Sequence, residues 1–261
     1  MIKLIVSDVD GTLVEDGSPE LNPEIFKAIL KLRGKGLQVV IASGRPWASV
    51  QKAFEPVKEK IFYVSNNGAY VGCYGRCLYA YSIEPSMVKR LIERVRLYPE
   101  LEIVYAGVNG DYVETENEAL CRWLVDSYKF NLIRVKDLLA VEEPCVKISV
   151  YKPQGIEAAA RDIYEEFNTE LKVACAGDMW MDCMAKGVNK GHAVKMIQES
   201  LGITPKETMA FGDQLNDLEM LDRAYYSFAV ANARDEVRKA ARFQADSNVN
   251  NGVLKILKQL L

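Results

Sequence analysis

The pattern of apolar residues differs between the two ends of the chain and its middle. At the two ends, short apolar runs typical of buried strands alternate with segments of helical periodicity. One helix is predicted from Pro23, with Asn22 as its N-cap, another ends at Gly202, and a last one covers 253–261. The strands are predicted at residues 3–7, 37–42, 62–65, 208–211 and 226–230. This βαβ order predicts a parallel sheet to which both ends contribute.

Between the two ends, helical patterns alternate with β-rich runs, which is typical of an α+β domain. The helical patterns run through residues 87–95, 120–124 and 156–167, and the β-rich runs cover 102–105 and 146–151. We therefore expect an α/β protein with a doubly wound parallel-sheet core, built from residues 1–82 and 187–261. The α+β domain at 83–186 is inserted into that core.

Composition and charge narrow the class of protein. The 261 residues are 49% hydrophobic and 26% charged, as in an ordinary globular protein. The net charge is −3, and no basic stripe is present that would follow a phosphate backbone. No apolar stretch approaches the ~20 residues of a membrane span, and Lys3 places a charge where a secretory signal would begin. We expect a cytoplasmic protein with neither nucleic acid nor membrane as a partner.

Histidine and cysteine restrict the chemistry further. His192 is the only histidine, which excludes a multi-histidine zinc site, and we expect it on a helix surface or in packing. The six cysteines include no C-x-x-C pair, and most of them are predicted to be reduced, small apolar fillers. Catalysis in this chain should therefore depend on carboxylates.

Two aspartates directly follow the first predicted strand, in the segment Asp8–Leu13. Strand periodicity sends the side chains of Asp8 and Asp10 the same way, and Gly11 allows a sharp turn. Two like charges this close are costly unless a cation neutralises them or one is protonated, so the pair suits a hard ion such as Mg²⁺. Taken alone, the same residues are also compatible with an Asp-Gly turn with solvated carboxylates.

Three weaker signals lie further along the chain. Ser43 opens a Ser-Gly-Arg segment after the second strand, Lys190 starts a helix, and Asp213 and Asp217 follow the strand at 208–211. Each has an ordinary alternative: a turn, a solvated lysine, or an acid in the first turn of a helix. Ligands of open parallel sheets bind at the carboxyl ends of the strands, and Asp8, Ser43 and Asp213 each follow a strand. The signals therefore converge on one site.

Together these segments resemble the motifs of the haloacid dehalogenase (HAD) superfamily, specifically its Cof-type phosphatases with a type IIB (C2B) cap. The similar motifs are D-x-D-G-T, S/T-G-R, a lysine and G-D-x-x-N-D, matched in order by Asp8–Leu13, Ser43–Arg45, Lys190 and Gly212–Asp217. Asn66–Ala69 and Asn232–Ala233 resemble further landmarks, so the similarity covers essentially the whole chain. It implies a Rossmann-like core with residues 83–186 as the cap.

The resemblance also implies roles for individual residues. Asp8 would be the nucleophile that forms an aspartyl-phosphate, and Asp10 would protonate the leaving oxygen and then activate water. Mg²⁺ would be held by Asp8, Asp213 and the backbone carbonyl of Asp10, with Asp217 orienting its waters. The phosphoryl group would be bound by the side chains of Ser43, Lys190 and Asn216 and by backbone N–H groups of Val9, Gly11 and Gly44. Arg45 and Asn67 are candidates for contact with the leaving group.

The function implied by this similarity is a Mg²⁺-dependent phosphatase that hydrolyses small phosphomonoesters. Sugar phosphates are the first candidate substrates, and nucleotides, flavin mononucleotide and pyridoxal phosphate are further ones. One alternative is a phosphosugar mutase of the phosphomannomutase type, which would interconvert isomers without net phosphate release. Another is a non-catalytic protein that binds a phosphorylated metabolite. The expected partner is in each case a small phosphorylated metabolite, and the expected assembly is a monomer or a weak homo-oligomer.

Overall fold

The structure of the protein, a computed structural model, describes residues 1–15, 18, 20–74, 76–176 and 178–261. Its strands are β1 (Leu4–Ser7), β2 (Gln38–Ala42), β3 (Phe62–Ser65), β4 (Tyr70–Cys73), β5 (Arg76–Ala80), β6 (Glu102–Ala106), β7 (Asp111–Val113), β8 (Leu132–Arg134), β9 (Lys147–Tyr151), β10 (Leu171–Ala176), β11 (Trp180–Ala185), β12 (Thr208–Gly212), β13 (Tyr226–Val230) and β14 (Phe243–Ala245). Its α-helices are α1 (Pro23–Gly34), α2 (Trp47–Ala53), α3 (Pro85–Val95), α4 (Glu118–Asp126), α5 (Ile156–Ala159), α6 (Arg161–Phe167), α7 (Lys190–Leu201), α8 (Leu218–Asp222), α9 (Asp235–Ala240) and α10 (Gly252–Lys258).

Two compact units divide the chain. The first comprises Met1–Tyr79, Ser127–Lys129 and Asn189–Leu261, and the second comprises Ala80–Asp126 and Phe130–Val188. The first unit is thus drawn from both ends of the chain, and the second is inserted into it. The three-residue segment Ser127–Lys129 belongs by its contacts to the first unit although it lies inside the insertion in sequence.

The sheet of the first unit has the strand order β14-β13-β12-β1-β2-β3-β4-β5. All pairings from β14 to β3 are parallel, whereas β4 runs antiparallel to β3. The predicted α/β class with a parallel-sheet core is confirmed, while β4, β5 and β14 were not predicted. Central β1 pairs with β2 on one side and with the distant β12 on the other, so the strand order switches direction there. A switch point of this kind opens a crevice at the carboxyl ends of the strands.

Burial explains why the central strands form where they do. All four residues of β1 and of β3, and four of the five residues of β2, are buried, as expected for strands covered on both faces. Because each of these strands is short and apolar, the first polar residue after it lies at the sheet edge. That is where the residues after β1, β2 and β12 are found.

The sheet of the second unit has the order β10-β11-β9-β6-β7-β8. One apolar cluster of this unit includes Leu91 of α3, Ile156 of α5 and Ile163 of α6, while Leu120 and Leu124 of α4 belong to a separate cluster. Trp123 and Trp180 are partly buried and pack against the cluster of α4. The predicted helix at 156–167 is interrupted at Ala160, which separates α5 from α6.

Two further expectations concern the whole chain. Among the helices that the structure describes, none has both the length and the apolar character needed to cross a membrane. All six cysteines are free thiols: Cys73, Cys121, Cys145 and Cys183 are buried, whereas Cys77 and Cys175 are exposed. Four of the six are therefore buried, in agreement with the expectation that most of them are small apolar fillers.

Candidate active site

Three aspartates meet at the carboxyl edge of the first sheet. Asp8 follows β1, Asp213 follows β12, and Asp217 immediately precedes α8. One carboxylate oxygen from each lies within 4.8 Å of those of the other two, and all three residues are buried. The three positions that the sequence placed near one another are therefore in direct proximity.

Lys190 connects two of these aspartates. Its ammonium lies 2.6 Å from Oδ1 of Asp8 and 2.7 Å from Oδ1 of Asp217, and its side chain is 1% exposed. Lys190 is the first residue of α7, and Asn189 caps that helix by accepting a hydrogen bond of 2.6 Å from the N–H of His192. The cap therefore orders the turn that carries the lysine. His192 itself is exposed, as expected.

The remaining oxygen of Asp217 orders the loop after β12. Its Oδ2 accepts hydrogen bonds from the backbone N–H groups of Asp213, at 2.9 Å, and Gln214, at 3.1 Å. Asp213 in turn accepts from the Thr12 hydroxyl, at 2.8 Å, and from the amide of Gln214, at 3.2 Å. Asp217 thus fixes both the lysine and the backbone that carries Asp213.

The charge of this cluster is unbalanced. Within the described residues, the ion pairs of the three buried carboxylates involve one cation, Lys190, which leaves two negative charges unmatched. Burial and the charge of Asp217 raise the pKa of Asp8 well above its ordinary value, and they raise the pKa of Asp213 to about 6. Burial lowers the pKa of Lys190, but Asp217 and Asp8 more than offset this and hold that pKa above its ordinary value. The lysine therefore stays charged.

The cluster fits a hard divalent cation. Its donor atoms are all carboxylate oxygens, the ligands that Mg²⁺ and Ca²⁺ prefer. A second observation is the close approach of Gly11, whose backbone φ is +81° and whose hypothetical Cβ would lie 2.2 Å from Oδ2 of Asp213. Gly11 therefore leaves room for the carboxylate of Asp213, which any other residue would displace. Asp8, Asp213 and Asp217 are the residues that could hold such an ion.

The predicted phosphate-binding groups line the same edge. Ser43, after β2, is fully buried, and its hydroxyl accepts from the N–H of Arg45 at 3.0 Å. The amide of Asn216 donates to Oδ1 of Asn67 at 2.9 Å, and Gly44 lies against the side chain of Asn67. Oδ1 of Asn216 is buried without a hydrogen-bond donor among the described residues. Because that oxygen is an acceptor, a phosphoryl group would be bound through the second N–H of the Asn216 amide, whose first N–H donates to Asn67.

The backbone around Val9 forms a tight turn. The carbonyl of Val9 accepts from the N–H groups of Thr12, Leu13 and Val14. The sequence predicts that the N–H of Gly11 binds the phosphoryl group. In the structure this N–H instead donates to the carbonyl of Val14 at 2.8 Å, within the turn. The part that Gly11 plays here is its lack of a side chain beside Asp213.

Asp10 is not part of the buried acidic cluster. Its carboxylate forms a two-point ion pair with Arg45, in which Nε donates to Oδ2 at 2.8 Å and Nη2 donates to Oδ1. The Arg45 side chain is 4% exposed and that of Asp10 is 21% exposed. The sequence predicts that Arg45 contacts the leaving group, whereas in the structure its guanidinium pairs with Asp10. Burial lowers the pKa of Arg45, but the bonds to Asp10 hold it above its ordinary value.

Sequence reasoning missed two supporting residues. Thr12 donates to Asp213, and its position as the last residue of the D-x-D-G-T segment was the available signal. Asn232, noted only as a landmark, donates from its side chain to the carbonyl of Gly11 at 2.7 Å. These two contacts tie the loop after β1 to the loops after β12 and β13, and neither is visible from spacing along the chain.

Comparison with known proteins places this fold and site in a family. Residues 5–257 match the family of haloacid dehalogenase-like hydrolases. The chain is 26% identical to the 5-amino-6-(5-phospho-D-ribitylamino)uracil phosphatase YbjI of Escherichia coli, over 100% of this chain and 96% of that protein. It is 28% identical to the phosphatase of the same description, YcsE, of Bacillus subtilis, over 98% and 95% of the two chains.

The solved structures agree. A protein from Eubacterium rectale, 35% identical, superimposes with a TM-score of 0.90 and covers 100% of this chain and 99% of its own. The chain belongs to the haloacid dehalogenase-like hydrolase family, and the resemblance drawn from its motifs is confirmed. It is an enzyme of this hydrolase family, and the phosphatase names of its relatives agree with the expected class of phosphoric monoester hydrolase.

Proposed function

We propose that this enzyme is a Mg²⁺-dependent phosphatase that hydrolyses small phosphomonoesters through an aspartyl-phosphate on Asp8. The observation that supports this most is the environment of Asp8: a buried carboxylate in contact with a buried ammonium and two further acids, with Asp10 two residues away. Phosphoryl transfer depends chiefly on positioning and on charge neutralisation, and this edge of the sheet offers both.

In the first step, a carboxylate oxygen of Asp8 attacks phosphorus and the bond from phosphorus to the ester oxygen breaks. Asp10 gives its proton to that oxygen, so the alcohol leaves neutral. In the second step, Asp10, now a carboxylate, takes a proton from water as the water oxygen attacks phosphorus. The bond from phosphorus to Asp8 breaks, which releases inorganic phosphate and restores both side chains.

Other residues of the chain bind and orient the phosphoryl group. Lys190 supplies a positive charge beside Asp8, and Ser43, Asn216 and the backbone N–H groups of Val9 and Gly44 supply hydrogen-bond donors. Asp8 and Asp213, with the backbone carbonyl of Asp10, would hold Mg²⁺, and Asp217 would orient its waters. When bound, that ion would neutralise charge on the phosphoryl oxygens and on the nucleophile.

Sugar phosphates and sugar-alcohol phosphates are the proposed substrates. The two relatives described above are named for a substrate that carries its phosphate on a ribityl chain, which is a sugar alcohol. The ester broken there is that of an alkyl alcohol, the same class as in a sugar phosphate. An alkyl leaving group needs a proton from the enzyme, in agreement with an acid at Asp10.

The test is phosphate release from a panel of sugar phosphates, sugar-alcohol phosphates, nucleotides and cofactor phosphates, with Mg²⁺ or with excess chelator. We expect metal-dependent release by the wild type and none by Asp8→Asn, because the amide is a poor nucleophile and a poor ligand. Asp222→Asn is a matched control, since the side chain of Asp222 is 81% exposed.

Three results would contradict the proposal. An Asp8→Asn variant that is folded by circular dichroism and still turns over would exclude Asp8 as the nucleophile. Wild-type protein that releases no phosphate but converts phosphosugar isomers would be a mutase. Tight binding of a phosphorylated compound without any turnover would identify a binding protein.

A further inference from the structure

The two-point ion pair between Arg45 and Asp10, called the fork below, is contacted by a residue that lies outside the motifs. Three residues of the insertion, Ser127–Lys129, follow α4 and belong by their contacts to the first unit. Among them, the ring of Tyr128 lies under the guanidinium of Arg45, with 5.3 Å between Cζ and the ring centroid. This distance is within the range of a cation–π interaction.

The backbone of Tyr128 is anchored separately. The hydroxyl of Ser49, a buried residue of α2, donates a hydrogen bond to the carbonyl of Tyr128. This hydrogen bond holds the backbone that carries the ring. The helix α2 itself starts two residues after Arg45. The position of the ring relative to Arg45 is therefore set by a hydrogen bond that does not involve Arg45.

The guanidinium of Arg45 is held along one edge and on one face. Its edge donates to both oxygens of Asp10 and to the carbonyl of Ser18, the latter at 3.0 Å, while one face meets Tyr128. The backbone of Arg45 is fixed as well, because its carbonyl accepts from the N–H of Asn66 at 2.9 Å. Without the ring, the guanidinium would keep these hydrogen bonds but lose the contact on that face, so its plane would be less restricted.

The fork orients the carboxylate of Asp10 without blocking it. Each carboxylate oxygen has two acceptor sites, and Arg45 uses one on each. The side chain of Asp10 is 21% exposed, so the pairing with Arg45 does not seal it from solvent. A carboxylate held in one plane in this way transfers protons in a fixed direction, and small displacements of such a group are costly in rate.

We propose that Tyr128 is a positioning residue for Asp10 and acts through Arg45. A residue of the insertion thereby orients the group that protonates the leaving oxygen. This rests on the proposed function, because it assigns Tyr128 to the acid–base step of that reaction. The proposed role of Tyr128 involves no contact with the phosphate or the leaving group. Removal of its ring should therefore affect the proton transfer and not substrate binding.

The experiment compares two substrates that differ in their need for an acid. Ribitol 5-phosphate has a strongly basic alkoxide as its leaving group, whereas 4-nitrophenyl phosphate has a weakly basic phenolate that leaves without protonation. The ratio kcat/KM reports the steps up to the loss of the leaving group. We expect Tyr128→Leu to lower kcat/KM for ribitol 5-phosphate by about 3–30-fold, the rate equivalent of a cation–π contact. For 4-nitrophenyl phosphate it should stay within about twofold.

Two further variants make the comparison specific. Tyr128→Phe keeps the ring face, so it should recover most of the kcat/KM that Tyr128→Leu loses on ribitol 5-phosphate. Tyr164→Leu is the same kind of change at an exposed tyrosine of α6 and should alter neither substrate. In a chain that already carries Asp10→Asn, adding Tyr128→Leu should produce no further loss, because the two residues act in one chain of contacts.

The possible outcomes separate this proposal from the proposed function. Equal losses on both substrates, a change in KM alone, or a full additional loss in the Asp10→Asn background would each overturn the positioning role of Tyr128. Wild-type protein that releases phosphate from no member of the substrate panel would overturn the proposed function and the positioning role together. Where the panel gives a better alkyl phosphate substrate than ribitol 5-phosphate, that substrate replaces it in this comparison. The selective loss on ribitol 5-phosphate, with recovery in Tyr128→Phe, would support both.

Discussion

A single missing side chain shapes the metal-binding end of the candidate site. At Gly11 a Cβ would lie 2.2 Å from an oxygen of Asp213, and the backbone φ is +81°. We expect Gly11→Ala to displace the carboxylate of Asp213 and to lower the affinity for Mg²⁺ at least tenfold, as measured by isothermal titration calorimetry. It should also lower the free energy of unfolding by about 1–2 kcal/mol, because alanine is strained at positive φ.

Gly36 offers a matched control for this substitution. Its φ is +84°, nearly the same as that of Gly11, but a Cβ there would meet nothing within 4 Å. Gly36→Ala should therefore show the loss of stability without the loss of affinity. If both variants bind Mg²⁺ as the wild type does, the carboxylate of Asp213 does not hold the ion.

A second buried acid, Asp111 of β7, predicts a dependence of stability on pH. Its Oδ2 is buried without a hydrogen-bond donor among the described residues, and burial raises its pKa from 3.8 to about 7. Unfolded Asp111 loses its proton near pH 4 and folded Asp111 near pH 7, so stability falls as pH rises between these values and is then level. A shift of this size is worth roughly 3–5 kcal/mol.

The variant Asp111→Asn removes this titration. Thermal unfolding at pH 5 and at pH 8 should differ less in Asp111→Asn than in the wild type, and the comparison within each protein cancels the cost of the buried amide. Asp178, an exposed aspartate of the same unit, is the control, and Asp178→Asn should keep the wild-type difference. An unchanged difference in Asp111→Asn would show that Asp111 is already ionised at pH 5.

At the scale of elements, two helix caps predict different effects on stability and on activity. Asn22 caps α1 by accepting from the N–H of Glu24 at 3.0 Å, and Asn189 caps α7 by accepting from the N–H of His192. Each asparagine-to-alanine change should lower the free energy of unfolding by about 1 kcal/mol. Only Asn189→Ala should also lower phosphate release, because the first turn of α7 carries Lys190.

The two caps thus form a pair in which one serves as the control for the other. Chemical denaturation measures the stability of both variants, and steady-state rates with saturating Mg²⁺ measure activity. Equal activity of Asn22→Ala and Asn189→Ala, at equal stability, would mean that Lys190 is placed by its ion pairs alone and not by the start of the helix.

Elements and site differ in how far the sequence predicts them. The strands β1, β2, β3, β12 and β13 form within one residue of their predicted bounds, because short apolar runs between turns leave little alternative. The strand β5 escaped prediction because four of its five residues are exposed and carry no apolar alternation. The triad of Asp8, Asp213 and Asp217 follows from motif and strand order together. The cation–π contact between Tyr128 and Arg45 joins residues far apart in sequence, so no local pattern predicts it.

At the scale of the whole molecule, the two units should respond differently to Mg²⁺. The acidic cluster and Lys190 lie entirely in the first unit, formed by Met1–Tyr79, Ser127–Lys129 and Asn189–Leu261. An ion that binds only the folded site stabilises it by mass action, by about 2.7 kcal/mol at a concentration 100 times the Kd. Because the apolar clusters of the second unit are built from its own residues, that stabilisation need not extend to it.

Hydrogen exchange followed by mass spectrometry measures this directly. Saturating Mg²⁺ should slow amide exchange in peptides that contain β1, β12 and the start of α7, and leave peptides from β9 and β11 unchanged. Asp213→Asn, which removes a carboxylate ligand without changing the size of the side chain, should abolish the protection. Protection that spreads equally over both units would show that they open as one cooperative body, since local opening would otherwise confine the effect to the unit that binds the ion.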